Sequence, residues 1–221
     1  MDRLVFVGDS AMGALSYIPT SDFKQHSESE IDIQTLGLEA QHVFDGQTDD
    51  VLAALVMAGS SGGARPKAQI YFTAGQTTHC RTQAQVNDEA WLVKFTSKNL
   101  SLGHEEGLCE AAYLSLAAKA GLHTQEWKLI DAPAKSGAIH WLALKRFDRV
   151  LNQQGTLGRL HMHSVCGLLD ADFRTPSLDY EDLIKVSRHI CKSPIAGQLQ
   201  FRRAIFNLFA CNQDDHSKNW A

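Results

Sequence analysis

Asn212-Gln213-Asp214-Asp215-His216-Ser217-Lys218-Asn219-Trp220-Ala221 gathers two carboxylates, an imidazole, an ammonium and an amide within positions 214–219. A surface turn has no packing reason to collect so many groups able to bind a cation or move a proton. The stretch follows an amphipathic run from Phe201 to Cys211, so the loop is expected to leave the end of a helix. Asp214 and Asn219 stand five positions apart. A carboxylate so placed can accept the proton of an attacking hydroxyl, while an amide oxygen holds a divalent cation. A metal site made of Asp214, Asp215 and His216 alone is the weaker reading, because three adjacent side chains seldom converge on one ion.

Working outward, the chain supplies partners for such a loop. Ala90-Trp91-Leu92-Val93-Lys94-Phe95-Thr96 reads as a buried strand with one lysine in it. Burying that ammonium is costly unless an anion meets it; the alternative is an edge-strand lysine whose head reaches solvent. From His104 to Leu122 the apolar residues recur at helical spacing, with Gly121 as the stop. Glu110, one turn inside that helix, is the expected partner of Lys94. Glu105 and Glu106 are expected to face the helix dipole from its first turn. Ser60-Ser61-Gly62-Gly63-Ala64-Arg65-Pro66-Lys67 is a glycine-rich turn before a strand, where backbone N–H groups can approach a phosphate. It is not G-x-x-x-x-G-K-[ST], which excludes a Walker loop, and taken alone it reads rather as a flexible surface turn.

The remaining pattern predicts an α+β chain. Strands are expected at 4–7 and 13–18, a short helix near Ile31–Leu36, a helix over Val51–Ala58 and a strand over Ala68–Phe72. Further strands are expected over Trp127–Ile130 and Ile139–Leu144, joined by a turn at Ala134–Gly137. Residues 73–89 and 150–179 read as polar connections, the second with a helical piece near His163–Leu169. Tyr180–Cys191 and Gln198–Cys211 read as helices, so the last third is helical. With 221 residues, 44% of them hydrophobic, the chain can bury a sizeable core. Its net charge of −4 gives no general basic character for nucleic acid or anionic membranes. No apolar run reaches the roughly 18–20 residues of a membrane span. Five scattered cysteines without a C-x-x-C pair suit buried thiols of a cytosolic protein.

Taken together, these motifs resemble the HipA family of bacterial serine/threonine kinases, the toxins of type II toxin–antitoxin modules. The resemblance rests on pieces in family order. These are Val7 to Leu15, Gly59 to Lys67, Leu92-Val93-Lys94-Phe95, Glu110 with Ala120-Gly121-Leu122, and Lys145-Arg146-Phe147-Asp148-Arg149. Arg159 to Ser164 and Phe206-Asn207 through Asn219 complete the set. It implies a two-lobed, kinase-like fold: residues 1–45 the remainder of an N-terminal subdomain, 46–147 the N-lobe, and 148–221 a partial helical C-lobe. It implies ATP and Mg²⁺ as cofactors. Gly62, Gly63, Ala64 and Lys67 would cover the ATP phosphates, Lys94 and Glu110 would position the nucleotide, and Lys145 and Phe147 would form the adenine-binding hinge. Asp214 would be the catalytic base, with Lys218 offsetting transferred charge, His216 ordering the loop and Asn219 as magnesium ligand. Ser60 would be the autophosphorylated serine that silences the kinase. A protein serine is the implied acceptor, in known cases on an aminoacyl-tRNA synthetase, and a DNA-binding antitoxin the implied partner.

The sequence departs from the family pattern by starting partway through the N-terminal region and by ending after the catalytic loop. Family kinases continue with a strand pair carrying a second metal-binding aspartate, which Asp215 cannot replace. The expectation is therefore a fragment, a truncated frame or one piece of a split kinase, with weak nucleotide binding and little catalysis of its own. A non-catalytic kinase-like module that binds an antitoxin or companion chain is the alternative. A small-molecule kinase is disfavoured by the family resemblance alone.

Overall fold

Alternation along four apolar strands sorts their side chains between two covered faces, and that sorting places the candidate site. The computed structural model describes residues 2–19, 30–47, 65–172, 174, 175 and 177–221. In order, its elements are helix α1 (Asp2–Val7), strand β1 (Ile31–Asp32), α2 (Ile33–Phe44), β2 (Lys67–Thr73), β3 (His79–Cys80) and β4 (Asp88–Lys94). Helix α3 (Glu106–Lys119), β5 (Trp127–Asp131), β6 (His140–Lys145), β7 (Arg149–Leu151) and β8 (Leu157–Arg159) follow. Helices α4 (Val165–Leu168), α5 (Tyr180–Cys191) and α6 (Pro194–Phe209) complete this mixed α and β chain. One compact unit takes in the described residues up to Ala112 together with Gln125–His161. The other comprises Tyr113–Thr124 and Met162–Ala221.

The first unit is built on an antiparallel sheet of order β2-β4-β6-β5. Register pairs Ile70 with Trp91, Val93 with Ala143 and Trp141 with Ile130. With Ala68 and Phe72 these residues form one face, and α2 covers it through Ile33, Leu36 and Ala40. Buried positions 33, 36, 37, 40 and 41 of α2 follow the helical repeat. Asp32 caps the helix by accepting from the Gln34 amide at 2.8 Å. Gly37 lies where a Cβ would overlap the Trp141 ring and meet Phe95 at 2.8 Å. The Phe95 and Trp141 rings themselves meet edge to face at 4.9 Å. At one end of this face Lys128 lies 3.9 Å from the centre of the Trp91 ring.

Because side chains alternate, Lys94 points to the opposite face. It is register-paired with Lys67 and with Leu142. There Gly107 of α3 comes close to the sheet, its Cβ position 3.5 Å from the Leu142 nitrogen.

The second unit is helical. An Asp179–Asp182 capping box opens α5, and Ser193 with Pro194 opens α6. Lys192, with φ of 48°, makes the left-handed turn between them. Arg188 of α5 crosses Gly197 of α6 where a Cβ would sit 2.5 Å from its side chain.

Several expectations need correction. Leu4–Val7 is helical, not a strand: a four-residue apolar run is too short to carry a period, and the Gly8 amide closes a turn on Leu4 O. Residues 13–18 form no strand. The Gly13 amide donates to Asp148 Oδ2 at 2.7 Å, and Arg149 donates to Ala11 O and Gly13 O, each at 2.9 Å. Side chains there satisfy backbone that a ladder would otherwise pair. The helix near Ile31–Leu36 runs on to Phe44. Within 150–179 the chain forms the β7–β8 hairpin, whose turn is held by Asn152 Oδ1 accepting from the Gln154 and Thr156 amides. Among the thiols Cys80 is buried, whereas Cys191 and Cys211 are exposed near the ends of α5 and α6. The expected helix at Val51–Ala58 lies outside the described residues.

Asp148 is fully buried and sits between two arginines that are 3% exposed. It accepts from Arg146 Nε at 2.9 Å, Arg146 Nη2 at 2.6 Å and Arg149 Nη1 at 2.6 Å. Burial alone would raise its pKa. The Arg146 hydrogen bonds, the Gly13 amide and the two guanidinium charges outweigh that and hold it below the usual aspartate value. Asp148→Ala leaves two buried cations uncompensated and is expected to cost about 3–5 kcal/mol in urea unfolding. Because the folded pKa is the lower one, the native contribution is present above about pH 4 and is lost on acidification through the depressed value. Asp148→Asn should remove that part of the acid dependence. Gly37→Ala should destabilise by about 1–3 kcal/mol despite alanine's better helix propensity, because the Trp141 ring cannot yield.

Candidate active site

Lys94 ends the central strand β4, and Glu110 lies one turn into α3. Their charges meet at 2.5 Å, Nζ to Oε1, with 23% and 28% of the side chains exposed. The pairing leaves Lys94 neither buried without an anion nor reaching freely into water. Arg65 joins the same group, its Nη1 3.7 Å from Glu110 Oε2 and its Nε 3.0 Å from Glu106 Oε2. Glu106 is only 8% exposed. It stands in the first turn of α3 as expected, and it is also an ion-pair partner of Arg65. Its spacing of four from Glu110 puts both carboxylates on one helix face, a signal available in the sequence. Arg65, too, carries a role that the sequence reading did not assign. Lys67, first residue of β2, is half-buried opposite Lys94 in the register. Ser60, Gly62, Gly63 and Ala64 lie outside the described residues.

The stretch after β6 is mostly committed to structure. The Lys145 amide donates to Glu126 O at 2.8 Å, and its ammonium bridges Glu89 at 2.6 Å and Glu126 at 2.9 Å. Partial burial would lower the lysine's pKa, but those carboxylates raise it. Arg146 and Asp148 belong to the buried arginine cluster. Phe147 is 55% exposed, so its ring is open to contact.

In the second unit the closing loop separates its two adjacent aspartates. Asp214 has 89% of its side chain exposed and lies 3.7 Å from His216 Nε2. Asp215 turns inward and accepts from Tyr180 Oη at 2.6 Å, Asn207 Nδ2 at 2.5 Å and Trp220 Nε1 at 2.7 Å. Burial first, and then the Asp215 contact, pushes the Tyr180 phenol up to about 12, so it remains a donor. Asn219 Nδ2 donates to Asp214 O at 2.7 Å, which leaves its Oδ1 as the oxygen for a cation. Lys218 is part of the 3₁₀ turn Ser217–Asn219. Among the described residues, no group of three or more His, Cys, Asp or Glu side chains gathers to hold a metal. Asn219 Oδ1 is an oxygen of the kind that could serve a hard cation.

A double-mutant cycle over Lys94→Met and Glu110→Gln should return a coupling of roughly 1 kcal/mol that shrinks as salt is raised. A cycle that closes near zero would mean the pair is solvated and not structurally coupled.

Among the described residues no helix is long and apolar enough to cross a membrane. A search of curated proteins found none with significant similarity to this chain. The family model described as the HipA-like C-terminal domain matches residues 59–221, a span that takes in Arg65, Lys94, Glu110 and the whole closing loop. The chain therefore belongs to the HipA family.

Proposed function

We propose that this protein is an ATP- and Mg²⁺-dependent serine/threonine protein kinase of the HipA type, on a two-lobed kinase-like fold, acting as the toxin of a toxin–antitoxin module. The observation that carries the reading is the 2.5 Å Lys94–Glu110 pair at the end of the central strand. A glutamate so placed fixes the lysine's ammonium, and an ammonium fixed there can hold the α- and β-phosphates of a nucleotide. The turn containing Gly62, Gly63 and Ala64, running into Lys67, would cover those phosphates. The stretch at Lys145 and Phe147 would flank the adenine.

Asp214, exposed and next to a carboxylate already saturated with donors, would accept the proton of an incoming serine hydroxyl. Lys218 would offset negative charge on the transferring group, and His216 would help to order the loop. Mg²⁺, when bound, supplies charge neutralisation across the phosphates, and Asn219 Oδ1 would be its protein ligand. Ser60 is the proposed autophosphorylation site. The protein acceptor, an aminoacyl-tRNA synthetase in the family pattern, and a DNA-binding antitoxin partner are proposed on family grounds.

A second reading, a non-catalytic module that binds an antitoxin or a companion chain, is favoured by one observation. Phe201, Leu208 and Phe209 of α6 are 57%, 68% and 83% exposed, an apolar surface suited to a protein partner.

Thermal unfolding with Mg·ATP distinguishes the two. At a hundredfold excess over Kd a nucleotide site should add about 2.7 kcal/mol, a rise of roughly 5–10 °C for a chain of this size. Lys94→Ala should remove it; no shift in the wild-type chain would favour the binding module. Asp214→Asn should keep the nucleotide shift while lowering serine phosphorylation by roughly 10²–10⁴-fold.

A further inference from the structure

Asp214 and Asp215 are neighbours with opposite surroundings. Asp215 is met by donors from three parts of the second unit: Tyr180 at the start of α5, Asn207 near the end of α6, and Trp220 beyond the loop itself. Tyr180 and Trp220 also pack on each other, ring centres 6.0 Å apart at 67°. The Trp220 carbonyl accepts from the Val165 amide at 2.8 Å, which ties the far side of the loop to α4. Within the loop the Asp214 amide donates to Asn212 Oδ1 at 3.2 Å, the Asn219 amide to His216 O at 2.8 Å, and Asn219 Nδ2 to Asp214 O.

We propose that Asp215 is the positioning residue of this loop: its carboxylate anchors the backbone from which Asp214 and Asn219 are displayed, and it takes no part in the chemistry. This rests on the reading of Asp214 as base and Asn219 as metal ligand. The chemistry of the contacts explains why an aspartate stands there. Oδ2 takes Tyr180 and Asn207 while Oδ1 takes Trp220, so every contact needs an acceptor. An asparagine in either flip would set an NH₂ group against at least one of these N–H or O–H donors. With the anchor in place the neighbouring peptide is fixed, and Asp214 can face solvent with His216 Nε2 3.7 Å from its carboxylate.

The test compares the wild-type chain with Asp215→Asn, Tyr180→Phe and Asp214→Asn by amide hydrogen exchange, thermal unfolding and phosphorylation kinetics. Asp215→Asn and Tyr180→Phe should speed exchange of the Asp214, Asn219 and Val165 amides about tenfold while the unfolding temperature is nearly retained. In the same variants kcat should fall roughly 10- to 100-fold with KM for ATP unchanged, the pattern of a misplaced base and not of a lost binding site. Asp214→Asn should lower transfer by roughly 10²–10⁴-fold and leave the exchange pattern as in the wild type. Tyr180→Phe, which removes one hydroxyl, serves if Asp215→Asn fails to fold. Wild-type exchange in Asp215→Asn would overturn the proposal whatever the kinetics show, as would loosened exchange with unchanged kcat. A wild-type chain that transfers no phosphate would count against the kinase reading alone, and the exchange data would still decide whether Asp215 anchors the loop.

Discussion

One buried carboxylate holds the first unit to its own N-terminal segment. Asp148 pairs with both Arg146 and Arg149, and with them it gathers the Ala11 and Gly13 backbone, Gln69 of β2 and the start of the β7–β8 hairpin. Apolar burial is far larger in total area, but it is non-directional and would accept many arrangements of an irregular segment such as 11–13. A guanidinium fork accepts few, since its donors lie in a fixed plane. Charge burial of this kind is weak evidence for net stability. Its effect here is to specify where otherwise featureless chain must lie.

The same division between burial and direction runs through the candidate site. The apolar face of the sheet holds α2, while the opposite face presents Lys94 to the carboxylates of α3. Strand alternation makes this unavoidable: once Trp91 and Val93 face α2, Lys94 cannot. Arg65 then ties the approach to β2 to both Glu106 and Glu110, the second of which fixes the lysine.

Much of this was legible in the sequence, for identifiable reasons. The strands around Ile70, Trp91, Leu129 and Leu142, and helix α5, carry periods long enough to read, and Lys94 stood out because its neighbours are apolar. Glu110 was identifiable as its partner because a helix follows within reach. Three kinds of information were not read. Leu4–Val7 is too short to distinguish helix from strand. Gly13, at the head of the 13–18 stretch, is held by Arg149 and Asp148, more than 130 positions away in the chain. Asp215 looks like an ordinary solvated acid until the partners that face it are known. The β7–β8 hairpin was different: Asn152 and Gly155 are turn residues flanked by Val150-Leu151 and Leu157, and that signal was present to be read.

The placement of two aspartates side by side also constrains chain length. Asn207 and Trp220 are both bonded to Asp215, one on each side of it in sequence. Counted from Asn207, one residue added within 208–214 brings Asp214 to the place of Asp215, and one removed brings His216 there. After an insertion the two carboxylates would contend for a single socket; after a deletion an imidazole would stand where three donors need an acceptor. Substitutions at exposed positions such as Leu208, Phe209 and Gln213 leave these bonds untouched, whereas Asn212 accepts from the Asp214 amide and Asp214 is the proposed base. In this loop the count of residues is held more tightly than their identity.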